Sequence, residues 1–280
     1  MPGVVDVSFP YLALAPDGTA ALLFRQSDPS ASILRTQIRV ALLPLAQPPE
    51  LRTLATSSDR PLNPGGLGVD GANRFTALWD SGYSYSGAHL KVRELDSQGH
   101  LSAVETLPVE QARQLALTAL YVDAAGDRLL VWSSDARQSR LLTAERRAKA
   151  RRFSRPKAVT HAAAGLLASD SNASGRTLLV WQTAQGVLAA VRRPGGKLTR
   201  PHKLAARSAA TLARIDSTGT GTILFAGRTT WHSVRLSASG ALGASHTLRC
   251  VPVAVAALAP NRVVIAGGCG ASLTPSITGT

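Results

Sequence analysis

Aromatic residues make up only 5% of this 280-residue chain, and there are one methionine and two cysteines. So few rings argue against a module that stacks bases on exposed aromatics, and nucleic acid is not an expected partner. Two cysteines exclude a disulfide-dense scaffold and any zinc site built from four thiolates. Acidic residues are scarce: 17 Asp and Glu stand against 31 Lys and Arg, a formal charge of +14. Lysine is scarcer still, with only five residues (91, 149, 157, 197, 203). An arginine excess beside abundant alanine is what a GC-rich coding bias produces, so the charge does not by itself point to a polyanion.

Long apolar runs are also missing. The one stretch that approaches a membrane span, Val251 to Ala271, is broken by Pro252 and by Pro260-Asn261-Arg262. An Arg at mid-bilayer costs about 2.5–3.5 kcal/mol, so a hairpin turning at Pro260-Asn261 is expected instead of a membrane span. The opening Met1-Pro2-Gly3-Val4-Val5-Asp6 has neither the basic nor the apolar stretch of a secretory signal. With 45% apolar residues, the chain has ample material for a core.

Sustained helical periodicity is absent; the best helical stretch, Gln111 to Leu120, reads as a loop. What recurs is an apolar strand, an Asp/Gly turn and a second apolar strand ending in a large residue. Asp17-Gly18 precedes Leu22-Leu23-Phe24, and Asp70-Gly71 precedes Phe75 to Trp79. Asp123 to Gly126 precedes Leu129 to Trp132, Asp170 to Gly175 precedes Leu178 to Trp181, and Asp216 to Gly219 precedes Thr222 to Phe225. A weaker copy runs from Val253 through Asn261 to Ile265. The ring or its substitute falls at 24, 79, 132, 181, 225 and 265, spacings of 55, 53, 49, 44 and 40. That is near the period of four-stranded propeller blades. Each second strand is followed by a more basic hairpin, for example Leu141 to Arg147 and Val187 to Arg193. Arg and Pro on such an outer strand blunt a sheet edge.

The expected fold is therefore all-β: a six-bladed β-propeller of four-stranded antiparallel blades, with a truncated seven- or eight-bladed propeller as the alternative. Residues 1–280 read as a single domain. The last copy lacks material for four strands, so residues 3–9 are expected to supply a strand completing the C-terminal blade. Cys250 and Cys269 lie symmetrically about Ala259-Pro260, where facing strands would bring them within reach of a disulfide. Such a bridge implies an extracytoplasmic or secreted protein; two buried thiols are the other reading.

The Asp/Gly turns with Leu22-Leu23-Phe24 and Leu129-Leu130-Val131-Trp132 resemble the blade repeats of bacterial TolB-like and sialidase-like β-propellers. The resemblance covers nearly the whole chain as a loose repeat. The sialidase Asp-box pattern, Ser-x-Asp-x-Gly-x-x-Trp, is absent; Ser169-Asp170 approaches it, but the Gly and Trp follow too late.

Candidate sites are few. Asp17, Asp70, Asp123, Asp170 and Asp216 are assigned to turns. Asp28, Asp80 and Asp135 follow second strands and are the candidates for an acid–base set. The six histidines are scattered, no metal site or cofactor is expected, and Gly65-Gly66-Leu67-Gly68 reads as a turn. The loop after Asp80 carries Tyr83 and Tyr85 among Gly and Ser, which gives amphipathic contact area at low entropy cost. Asp80, Tyr83 and Tyr85 are the expected ligand contacts. Arg146, Arg147, Lys149, Arg151, Arg152, Arg155 and Lys157 form a basic patch that could draw a polyanion. The functional expectation is a monomeric, non-enzymatic module presenting one face to a protein or glycan ligand. A sialidase-like glycoside hydrolase is the alternative, and polyanion binding at the basic edge a weaker one.

Overall fold

The computed structural model describes residues 6–28, 35–59, 61–81, 89–107, 115–134, 140–160, 162–208, 210–249, 251–259 and 262–267. Every regular element among them is a strand. No helix among the described residues is long and apolar enough to cross a membrane. The chain divides into two compact units, Met1–His161 and Ala162–Thr280.

The first unit holds three sheets. β1 (Asp6–Leu14), β2 (Ala20–Asp28), β3 (Arg35–Leu43) and β4 (Glu50–Ser57) form one. β5 (Asn63–Val69), β6 (Phe75–Asp80), β7 (Leu90–Leu95) and β8 (Glu105–Leu107) form the next. β9 (Leu115–Val122), β10 (Arg128–Ser134), β11 (Leu141–Arg146) and β12 (Lys157–Ala158) form the third. The second unit begins with β13 (Ala164–Ser171), β14 (Thr177–Thr183), β15 (Gly186–Arg192) and β16 (His202–Ala205). It continues with β17 (Thr211–Ile215), β18 (Gly221–Ala226), β19 (Trp231–Leu236) and β20 (Leu242–Leu248). It ends in the hairpin β21 (Pro252–Ala259) and β22 (Arg262–Gly267). Each sheet pairs neighbours in chain order and antiparallel, the blade meander expected from the repeat. The apolar stretch 251–267 is the expected hairpin, with Ala259 opposite Arg262.

The repeated turns work by side-chain capping. Asp70, Asp123 and Asp216 each open a turn and accept backbone N–H groups further along it, as Asp216 does from Thr218 and Thr220 at 2.9 Å each. The fourth residue then takes positive φ, +86° at Gly126 and +89° at Gly219, which closes the hairpin with a bulge. The second strands behind these turns are buried on both faces. Trp79, Trp132 and Trp181 are almost fully buried at the strand ends, with Phe24, Phe225 and Ile265 in the matching places. In the first unit, the side chains between successive sheets form two continuous cores; in the second, Leu178 and Val180 join Ile223 and Phe225.

Several local expectations are corrected. Asp170 is not a turn residue: it lies within β13, and Asn172 opens that turn, accepting from Ser174 and Arg176 N–H at 3.2 and 3.1 Å. An Asn side chain caps as an Asp does, so the pattern shifted unnoticed by two positions. In the first turn Ala15 holds the opening place, and Asp17 caps Thr19 N–H at 2.8 Å. In the second, Asn73 rather than a glycine takes the positive φ (+60°). The segment Gly65-Gly66-Leu67-Gly68 is strand, not turn. Its glycines admit β9: a Cβ on Gly66 would lie 2.9 Å from Leu120 Cβ, and one on Gly68 2.6 Å from Val122 Cγ2. From Leu115 on, the stretch expected as a loop is β9. Of the segment 3–9, the residues from Asp6 onward belong to β1, pairing Asp6 with Ser27, and residues 3–5 lie outside the described residues. A register shift between Ser8 and Tyr11 lets the strand pass Pro10, which has no N–H to give.

Candidate functional site

Asp80 is the last residue of β6 and lies directly opposite Asn63, the first of β5. Cross-strand partners present their side chains to the same face. Asn63 Nδ2 donates to Asp80 Oδ1 at 3.0 Å, and Asn63 Oδ1 accepts from Arg25 Nη1 at 3.2 Å. The relay therefore runs guanidinium, amide, carboxylate across the first two sheets. The Tyr11 hydroxyl belongs to the same neighbourhood. Burial, reinforced by the charge of Asp80, raises its pKa above the ordinary tyrosine value. The phenol thus stays a hydrogen-bond donor.

The next residues fix the base of the loop expected to bind. Ser81 is buried; its N–H donates to the His89 carbonyl at 3.1 Å, and His89 N–H donates to Ser81 Oγ at 3.2 Å. His89 Nδ1 is buried without a hydrogen-bond partner among the described residues. Ser81 and His89 are thus paired directly beside Asp80. Tyr83 and Tyr85 lie outside the described residues. So do Asp135 and the side chain of Asp28, the other two members of the candidate acid–base set. Arg25, Asn63 and Tyr11 were missed by sequence reasoning. Arg25 had a signal: it follows Phe24 as Asp80 follows Trp79, the same place in successive repeats.

The basic run resolves into two groups. Arg146 and Arg147 are engaged. Arg146 pairs with Glu94 and, at 3.1 Å, with Glu105, and its guanidinium lies 5.1 Å from the centre of the Phe153 ring. Phe153 N–H donates to Glu105 Oε1 at 2.8 Å. Burial, then the charge of Arg74, lowers the Arg146 pKa, yet a guanidinium remains charged at any physiological pH. Arg147 pairs with Asp127. Below them Arg128, 3% exposed, reaches Glu94 at 2.7 Å and Thr76 Oγ1 at 3.0 Å. Lys149, Arg151, Arg152, Arg155 and Lys157 form the second group, all exposed. A groove of about 550 Å³ runs between the outer parts of the second and third sheets. Glu94, Val104, Glu105, Arg146, Arg151 and Arg152 are among its walls. Cys250 and Cys269 lie outside the described residues.

No protein-family model and no curated protein matches the sequence. Solved structures do. Virginiamycin B lyase from Staphylococcus aureus aligns with 94% of this chain and 82% of its own, at 10% identity and a TM-score of 0.60. YCF48 bound to D1 peptide aligns over 96% and 81%, at 12% identity and a TM-score of 0.53. The Hadza microbial sialidase Hz136 aligns over 86% and 58%, at 13% identity and a TM-score of 0.50. These are β-propeller proteins, and the chain has the β-propeller fold.

Proposed function

We propose that this chain is a non-enzymatic propeller module that binds a protein segment at the rim formed by Arg25, Asn63 and Asp80, with Tyr83 and Tyr85, which follow Asp80 in the sequence, as further contacts. The observation that carries the reading is the relay itself. Its donors and acceptors hold one another in place, so a guanidinium, an amide, a carboxylate and a nearby un-ionised phenol are oriented before any ligand arrives. A rim of that kind matches the alternating donors and acceptors of a peptide backbone, and preorganisation spares the ordering cost of binding. The two tyrosines add apolar area where contacts of this type concentrate affinity. The likeness to YCF48, whose structure contains a peptide, is in keeping with this use of the fold. The module acts as a monomer and outside the cytoplasm, where a Cys250–Cys269 bridge would form.

The test is selection of a displayed random-peptide library on the purified protein, followed by affinity measurement of a selected peptide. Asp80→Ala and the pair Tyr83→Ala/Tyr85→Ala should each weaken it by about tenfold or more. A glycan array run in parallel distinguishes the ligand classes. Glycan retention that depends on Asp80, with no peptide selected, would replace the protein ligand by a carbohydrate.

A further inference from the structure

The groove between the second and third sheets lies apart from the Asp80 rim, and nothing in the proposed rim interaction uses it. Its floor is already charge-balanced. Glu94 is claimed by Arg128 and Arg146, and Glu105 by Arg146 and the Phe153 amide. These groups are half-buried to buried, bonded to one another, and therefore fixed. The wall is different. Arg151 and Arg152 are exposed, line the groove, and make no ion pair or hydrogen bond among the described residues. The same connection also carries Lys149 and Arg155, and β12 opens with Lys157, all exposed. On the facing side Ala103 and Val104 present exposed methyl groups, with Val104 43% accessible.

We propose that this groove is a second binding site, for an acidic peptide segment whose carboxylates pair with Arg151 and Arg152. Two features select a peptide. Guanidinium forks match carboxylates two bonds at a time. The methyl wall offers an aliphatic side chain a place that a sugar-phosphate backbone would leave unused. The volume is within the range of sites that enclose a small ligand or a few side chains. The positive field of the five exposed cations would speed encounter with an acidic partner, while the groove decides what is retained.

The experiment is fluorescence anisotropy on the full chain with a fluorescein-labelled peptide of repeated Glu-Asp-Leu units. A labelled oligodeoxythymidylate of matched length serves as the phosphodiester probe. Two double variants remove equal charge: Arg151→Glu/Arg152→Glu in the groove and Arg155→Glu/Lys157→Glu beyond it. The expected result is peptide binding by the natural chain that falls by about tenfold or more in the first variant, as loss of specific charge pairs does. In the second it falls by less than about twofold, as loss of exposed, screened charge does. Arg151→Gln/Arg152→Gln should weaken binding in the same order and guards against a folding defect from charge reversal. Equal weakening in both reversals, tighter binding of the oligonucleotide than of the peptide, or no binding of the peptide at low salt would each overturn the proposal.

Discussion

Gly71 N–H donates to the Ala124 carbonyl at 3.0 Å, and a Cβ on Gly71 would lie 2.6 Å from that same oxygen. The turn of the second sheet is thus docked on the turn of the third, and only a glycine permits the approach. Gly71→Ala should push the two turns apart and cost about 1–3 kcal/mol, the usual range for forcing atoms into packed space. Urea unfolding of the two proteins checks it: the midpoint should fall with the slope unchanged. Asn73→Gly at the neighbouring positive-φ position should be tolerated far better.

Arg128 opens β10, Arg147 follows the end of β11, and both pair with carboxylates, but their surroundings differ. Arg128 is buried against Glu94 and Thr76, whereas the Arg147 side chain is largely exposed beside Asp127. Removing Arg128 takes away one of the two guanidinium partners of Glu94, Arg146 remaining, and leaves the buried Thr76 Oγ1 without its donor. Arg128→Ala should cost about 1–3 kcal/mol, the range for leaving a buried polar group unsatisfied. Arg147→Ala should cost about 0–1 kcal/mol, as for an exposed pair. Parallel unfolding curves give the comparison directly.

The Tyr11 pKa offers a readout of the candidate rim. Burial raises it first and the Asp80 charge raises it further. Because the folded protein holds the phenol proton more tightly than the unfolded chain, stability from this group is constant below pH of about 10 and declines as pH rises beyond it. Asp80→Asn should move the Tyr11 transition downward without bringing it to the ordinary value, since burial persists. Phenolate absorbance against pH, with Tyr11→Phe subtracted, measures the transition. An unchanged transition in Asp80→Asn would separate Tyr11 from the rim.

The proposed compartment rests on Cys250 and Cys269. Thiol titration of the native and denatured protein should find no free thiol, as a bridge requires. Two thiols after unfolding would remove the bridge and with it the argument for an oxidising compartment.

Much of the fold was legible because its signals are local. An Asp with a Gly three places on, followed a few places later by a short apolar run ending in a ring, describes a capped turn and a strand buried on both faces. Trp132 and Phe225 could be placed in that way. The errors came where a residue serves a neighbour in space. Gly71 and Gly66 are glycines because of Ala124 and Leu120, and no local pattern contains those partners. Asn172 replaced Asp170 because either side chain can cap, so residue type alone could not fix the position. The candidate site was half legible. Asp80 stood out through its loop, whereas Asn63 and Arg25 join it only through the pairing of β5 with β6 and a hydrogen bond between sheets. The groove was hidden for the same reason: composition shows seven basic residues, and only contacts show that Arg146 and Arg147 are occupied while Arg151 and Arg152 are not.

The central claim is that the Asp80 rim is where this propeller takes hold of a protein. The most direct measurement is an amide NMR titration of the isotopically labelled chain with a peptide selected on it. Shifts concentrated at Arg25, Asn63, Asp80, Ser81 and His89, and abolished for the same peptide by Asp80→Ala, are the predicted result. A selected peptide that perturbs other surfaces and leaves these five amides unmoved would contradict the account.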